Sequence, residues 1–158
     1  MIKMKQLNNK GFSLVELIIV IAIMAILVGV VGTQVIPYLE NSRKAKDQQV
    51  LSAWNTAAVS AYSTEAASLD ATKTYTIKIE KTSMTFGAAG QSGLTNLEKT
   101  FRALTDIATG GYDFPNKMTS KAGKNISSVL ITINGGNGQV YTETTCTGDY
   151  SFDPIENK

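Results

Sequence analysis

Residues 17–36 read LIIVIAIMAILVGVVGTQVI, twenty positions without a charge and with Thr33 and Gln34 as the polar side chains. As a helix this run rises about 30 Å, the thickness of a bilayer's hydrocarbon core. It is apolar nearly all round, so no face is suited to water, and either lipid or copies of the same helix must cover it. Its fourteen large apolar side chains, at about 1.5–3 kcal/mol each, make removal from water worth roughly 20–40 kcal/mol. The free full-length chain is therefore expected to be insoluble. Lys3, Lys5 and Lys10 precede the run, whereas Glu40, Arg43, Lys44, Lys46 and Asp47 follow it as a mixed set. This asymmetry places the N-terminus on the cytoplasmic side.

The chain has 158 residues, the size of one ordinary domain. It has no histidine and one cysteine, Cys146. Intramolecular disulfides, Cys/His zinc clusters and histidine-based general bases are thereby excluded. The net charge of +2 comes from the first ten residues; without them the count is twelve basic against thirteen acidic. Bulk charge does not indicate an electropositive nucleic-acid binder.

A basic segment followed by an apolar run also describes a secretory signal peptide, with cleavage after Gly32, or a simple signal anchor. Glu16 argues against both, because it puts a carboxylate at the start of the apolar run. An acid at a membrane helix centre costs about 2.5–3.5 kcal/mol, and less near the interface. A buried carboxylate still calls for a partner, and no Lys or Arg lies one helical turn away. A cut between Gly11 and Phe12 would supply one, an α-amine that is mostly cationic at neutral pH. That amine and Glu16, four residues apart, share one helix face, so two staggered copies satisfy each other's charge.

The string KGFSLVELIIVIAIMAIL, residues 10–27, resembles the class III signal of type IV pilins and pseudopilins. It combines a short basic leader ending in glycine, a phenylalanine, a glutamate at the fifth position after the glycine, and a long apolar run. The resemblance covers about the first quarter of the chain. It implies that Gly11 is recognised by a prepilin peptidase, that Phe12 becomes the N-methylated terminus, and that Glu16 is required for subunit addition. It also implies a membrane-stored precursor and a helical polymer of the chain with itself. Further partners would be an inner-membrane assembly platform and minor pilins. The final location would be a cell-surface filament serving adhesion, motility or DNA uptake.

Beyond Pro37, Val50, Leu51, Trp54, Ala57, Ala58, Ala61 and Tyr62 repeat with the spacing of one helical face. One helix over about residues 12–66 is expected, apolar in its first half and amphipathic in its second. An interior proline costs about 3 kcal/mol and kinks or breaks a helix, and Gly29 and Gly32 weaken the stretch upstream by about 1 kcal/mol each. The resemblance implies that this stretch, with Pro37, partly unwinds in a filament. After residue 68, Tyr75, Ile77 and Ile79 alternate with polar residues, as do Val129, Ile131 and Ile133. Met84 and Phe86 continue the first pattern, and residues 140–144 read as a returning hairpin strand after the 135–138 turn. Leu94, Leu97, Phe101 and Leu104 have helical spacing, with Thr95 and Glu98 placed as a capping box. Gly110, Gly111 and Pro115 mark a loop. The expected fold class is α+β: a long N-terminal helix and a C-terminal antiparallel-sheet head. Its segments are a cleaved leader (1–11), a membrane or filament-core helix (12–37) and a head (38–158).

Other groupings carry less. Asp149, Asp153 and Glu156 are three carboxylates in a short stretch, and hard cations are bound by such oxygens, but their spacing fits no fixed ligand pattern; a solvated acidic tail is the preferred reading. Lys117, Lys121 and Lys124 read as a solvated basic cluster, and no nucleic-acid site is assigned. Gly87, Gly90 and Gly93 lack the Lys-Ser ending of a phosphate loop. Cys146 reads as a small buried hydrophobe, with an intermolecular link as the alternative. No cofactor is implied and no catalytic acid/base pair is recognisable. The two alternatives to a pilin are a pseudopilin of a secretion or competence system and a single-pass anchored binding module that never polymerises.

Overall fold

The computed structural model describes residues 11–88, 93–108 and 110–157. The apolar run lies in helix α1, Leu14–Glu65, which has Pro37 inside it; a turn of 3-10 helix, Ala66–Ser68, follows. The chain divides after Leu39 into two compact units. In the first, every described residue is exposed. Helix α1 continues through Pro37 without a break in the single chain. Proline deprives the helix of one N–H donor, and the turns on either side suffice to carry it across.

The second unit, from Glu40 onward, holds the core. Its strands are β1 (Thr74–Glu80), β2 (Met84–Gly87), β3 (Ile126–Asn134), β4 (Val140–Cys146) and β5 (Ile155–Glu156). They form one antiparallel sheet in the order β2-β1-β3-β4-β5. Tyr75, Ile77 and Ile79 of β1 and Val129, Ile131 and Ile133 of β3 are buried, as period-2 alternation requires. A register shift between Ile126 and Ser128 explains why Ile126, three residues before Val129, is buried as well. Leu51, Trp54, Ala57, Ala58 and Ala61 of α1 join the same core cluster. Trp54 meets Tyr112 edge to face at 4.7 Å and Phe114 at 6.3 Å.

Helix α2, Leu94–Thr105, buries Leu97 and Phe101, but the Thr95–Glu98 capping box does not form. Gly93 is the N-cap, at φ 95°, with no side-chain cap bond. Glu98 instead pairs with Arg102, Nη2–Oε1 2.8 Å, an i,i+4 ion pair that outcompetes the backbone. The expected loop around Pro115 contains two single-turn helices, α3 (Phe114–Lys117) and α4 (Lys121–Lys124). Phe114 is fully buried and anchors the first, and Ser120 Oγ caps the second by accepting from Gly123 N at 2.9 Å.

The aperiodic tail is held by individual contacts. Phe152 is buried, with Lys44 Nζ 5.6 Å from its ring centroid. Gln48 Nε2 donates to Asp153 O (3.0 Å), and Asn55 Nδ2 donates to Ile155 O (3.4 Å) and Thr142 Oγ1 (3.0 Å). Asn55 thereby ties the helix to β4 and β5 together.

Asp47 fastens α3 and α4 to α1. The residue is 2% exposed, and its carboxylate accepts from Thr119 N (2.9 Å), Thr119 Oγ1 (2.9 Å), Ser120 N (2.8 Å) and Ser120 Oγ (2.5 Å). Burial alone would raise its pKa, but the Ser120 hydroxyl and the Thr119 and Ser120 amides outweigh burial and hold it below the ordinary value. A Cβ at Gly123 would strike Asp47 Oδ2 and the Met118 side chain. Asp47→Ala is expected to destabilise the fold by about 2–4 kcal/mol, because it strands buried donors. Gly123→Ala should destabilise it in the same direction, as read by thermal or denaturant unfolding in detergent. Since the folded pKa is depressed, the Asp47 contribution is complete above the unfolded value of about 3.9 and drains away as pH falls through the folded value. The Asp47→Ala variant should therefore lose less stability than the parent on acidification over that window.

Candidate functional site

Phe12 is 86% exposed and lies outside any helix or strand, two residues before the helix begins. Gly11 has open space about it; a Cβ built there meets nothing within 4 Å. The Gly11–Phe12 bond thus lies in exposed backbone outside regular structure. Ser13 occupies the N-cap position, and its carbonyl accepts from Leu17 N at 3.2 Å. Glu16 reaches back so that Oε2 accepts from Ser13 N at 2.9 Å. This is the return half of a capping box, with an acid in the first turn where the helix dipole favours it. The partner that Glu16 was expected to lack in its own chain is therefore a backbone N–H. The signal was present in the sequence as Ser-x-x-Glu over residues 13–16. A charge-only search for Lys or Arg passes over it.

Downstream, α1 includes a stretch of mean hydropathy 3.1, none of it buried. Among the described residues this helix is long and apolar enough to cross a membrane. Gly29 and Gly32 have nothing within 4 Å of a built Cβ. Thr33 Oγ1 donates back to Val30 O (3.2 Å) and Gly29 O (3.3 Å). The Thr33 carbonyl is the acceptor that residue 37 would have used, and Pro37 carries no N–H for it.

The three tail carboxylates are not brought together. Asp149 lines a cleft of about 170 Å³ with Glu40, Lys44, Lys121 and Tyr150. Asp153 lines a second, of about 270 Å³, with Lys44 and Gln48. Glu156 lies in β5 opposite Tyr141. Among the described residues no three His, Cys, Asp or Glu side chains converge on one point. Of the three lysines in the basic cluster, Lys117 lies over the Tyr112 ring at 4.8 Å, while Lys121 and Lys124 sit on α4. Cys146 packs partly buried against the core. Burial raises its pKa, against smaller lowering influences from Thr144 and Lys44, so it is a poor thiolate. Of the glycine cluster, Gly90 lies outside the described residues.

The prokaryotic N-terminal methylation motif matches residues 6–32, a span containing Gly11, Phe12 and Glu16. No curated protein and no solved structure matches the chain. The motif is the class III signal of type IV pilins and pseudopilins, and over these residues it indicates a type IV pilin or pseudopilin-like protein. That class is structural rather than enzymatic, and its motif implies processing by prepilin peptidase and polymerisation with other pilins. The long apolar helix and the motif fit a membrane-anchored precursor followed by a surface filament.

The Glu16 cap has a direct readout. Glu16→Ala should cost about 1 kcal/mol at the helix start and speed amide exchange at Ser13, whereas Glu16→Gln, whose amide oxygen still accepts, should keep most of the protection.

Proposed function

We propose that the chain is the precursor of a type IV pilin, cut between Gly11 and Phe12 by prepilin peptidase, N-methylated on Phe12 and polymerised into an extracellular filament. In this reading residues 1–11 are the leader, 12–37 the membrane and then filament-core helix, and 38–158 the head. The precursor is a single-pass membrane protein with its N-terminus inside. The assembly platform and minor pilins draw it into a filament for adhesion, motility or DNA uptake.

The observation that carries this reading is a lone carboxylate at the head of an exposed, uncharged helix, with the processing motif around it. Transfer of such a helix from lipid into a bundle of like helices gains little hydrophobic energy, since both surroundings are apolar. Packing and charge pairing must then decide the outcome. Glu16 uses Oε2 for Ser13 N, and a carboxylate has lone pairs for a second donor. The α-amine of Phe12 on a neighbouring subunit is that donor, and pairing in surroundings of low dielectric makes the contact strong. Gly29, Gly32 and Pro37 give the core helix a place to unwind when subunits pack.

Terminal-peptide mass spectrometry of sheared filaments should find N-methylated Phe12 as the first residue, with this chain as the main band. An intact Met1 or a start at Thr33 would overturn the reading. Confinement to the envelope with a secretion defect on deletion would instead identify a pseudopilin. Glu16→Gln should leave cleaved chain in the membrane and reduce filaments to a trace. Filaments at the parental level from that variant would overturn the charge-pairing account, whereas a membrane-bound parent chain that forms no filaments and is unaffected by the change would identify the anchored module that never polymerises.

A further inference from the structure

The turn joining β3 to β4 carries two Asn-Gly pairs, Asn134-Gly135 and Asn137-Gly138. Glycine after asparagine presents no Cβ to obstruct rotation of the intervening peptide, so the following backbone nitrogen has the freest approach to the asparagine side-chain carbon. The fold treats the two pairs differently.

Asn134 closes β3 and is in register with Thr74 of β1. Its N donates to Gln139 O (2.8 Å), and its Oδ1 accepts from Gly136 N (2.9 Å). Gly135 N donates to Lys73 O (2.9 Å), and Gly135 O accepts from Tyr62 Oη (3.2 Å). A Cβ on Gly135 would lie 2.6 Å from Lys73 O and 3.0 Å from Ala71 O, so this peptide is pressed against a second segment and cannot turn in place. Asn137 is exposed, and its bonds stay within the turn. Nδ2 donates to Gln139 Oε1 (2.8 Å), and Oδ1 accepts from Gln139 N (3.0 Å). Gly138, at φ 70°, has nothing within 4 Å of a built Cβ, and its N–H has to release only Asn134 O (2.8 Å).

We propose that Asn137-Gly138 is a site of spontaneous covalent modification, deamidating through a succinimide, and that the fold protects Asn134-Gly135 from the same reaction. Gly138 N loses its proton and attacks Asn137 Cγ; a C–N bond forms, the Cγ–Nδ2 bond breaks, and the nitrogen leaves as ammonia. Water then opens the ring at either carbonyl, giving aspartate or its β-linked isomer, with no change of oxidation state. Either product places a carboxylate at the hairpin tip. The β-linked product also lengthens the main chain and breaks the Gln139 N to Asn137 Oδ1 bond. A filament subunit exposed for long periods outside the cell thus acquires charge at one defined point of its surface.

The test holds the full-length protein in detergent in heavy-oxygen water at mildly alkaline pH and samples it over time by peptide mapping with isoaspartate labelling. Asn137 is expected to take up the heavy oxygen, with Asn134 converting at least about tenfold more slowly, the factor set by local opening against the β1 loop. Equal rates at the two positions, or no conversion at either, would overturn the proposal. Asn137→Gln should remove the isoaspartate signal from the hairpin peptide, and its persistence would place the chemistry elsewhere. In urea the two pairs should react at comparable rates. A difference surviving there would assign the selectivity to sequence rather than fold and overturn the claim of protection.

Discussion

One helix has to satisfy two solvents. Up to Leu39 helix α1 has an almost wholly apolar surface, with Glu16 its one charge, and no buried residue; from Asp47 onward it presents a face that is buried in the core. The first condition forbids the isolated chain from remaining in water, and the second gives the sheet a surface on which to close its core. The helix is continuous across the change because one missing N–H at Pro37 is small beside the turns that surround it. A single exposed acid at its start then becomes the natural point of control, since no other residue of helix α1 up to Leu39 carries a charge.

The second unit is organised by polar side chains placed where a purely apolar face was expected. Asp47 and Asn55 lie among Leu51, Trp54 and Ala58 on the buried face of α1. Each is fully committed, Asp47 to the turn between α3 and α4 and Asn55 to β4 and β5. Apolar packing is indifferent to direction, whereas these bonds are not, so they fix where the aperiodic segments attach. They do for the loops what register does for the strands.

The two readable periods survived in the structure. Alternation at Tyr75–Ile79 and Val129–Ile133 located the central strands, and the 3.6 spacing located the buried face of α1 and of α2. Both signals come from many residues acting together. The segments that escaped were those decided by one or two atoms: α3 and α4, the two-residue β5, and the α2 start, where Arg102 took the Glu98 side chain. At the N-terminus, the motif around Gly11, Phe12 and Glu16 was legible because its residues are contiguous. The Ser13 N–H that satisfies Glu16 was less so, because a search for a charged partner does not count the backbone. Asp47 gave no local sign, as its partners are more than seventy residues away.

The manner in which the last residues are held has a mechanical meaning. Phe152, Gln48 and Asn55 secure the tail through one buried ring and a handful of hydrogen bonds, in a chain with a single thiol. Such a clasp shuts without any oxidant, so closing the tail onto the second unit needs no intramolecular disulfide. Its contacts can open and re-form without a chemical reaction, where a covalent staple would have to be cut.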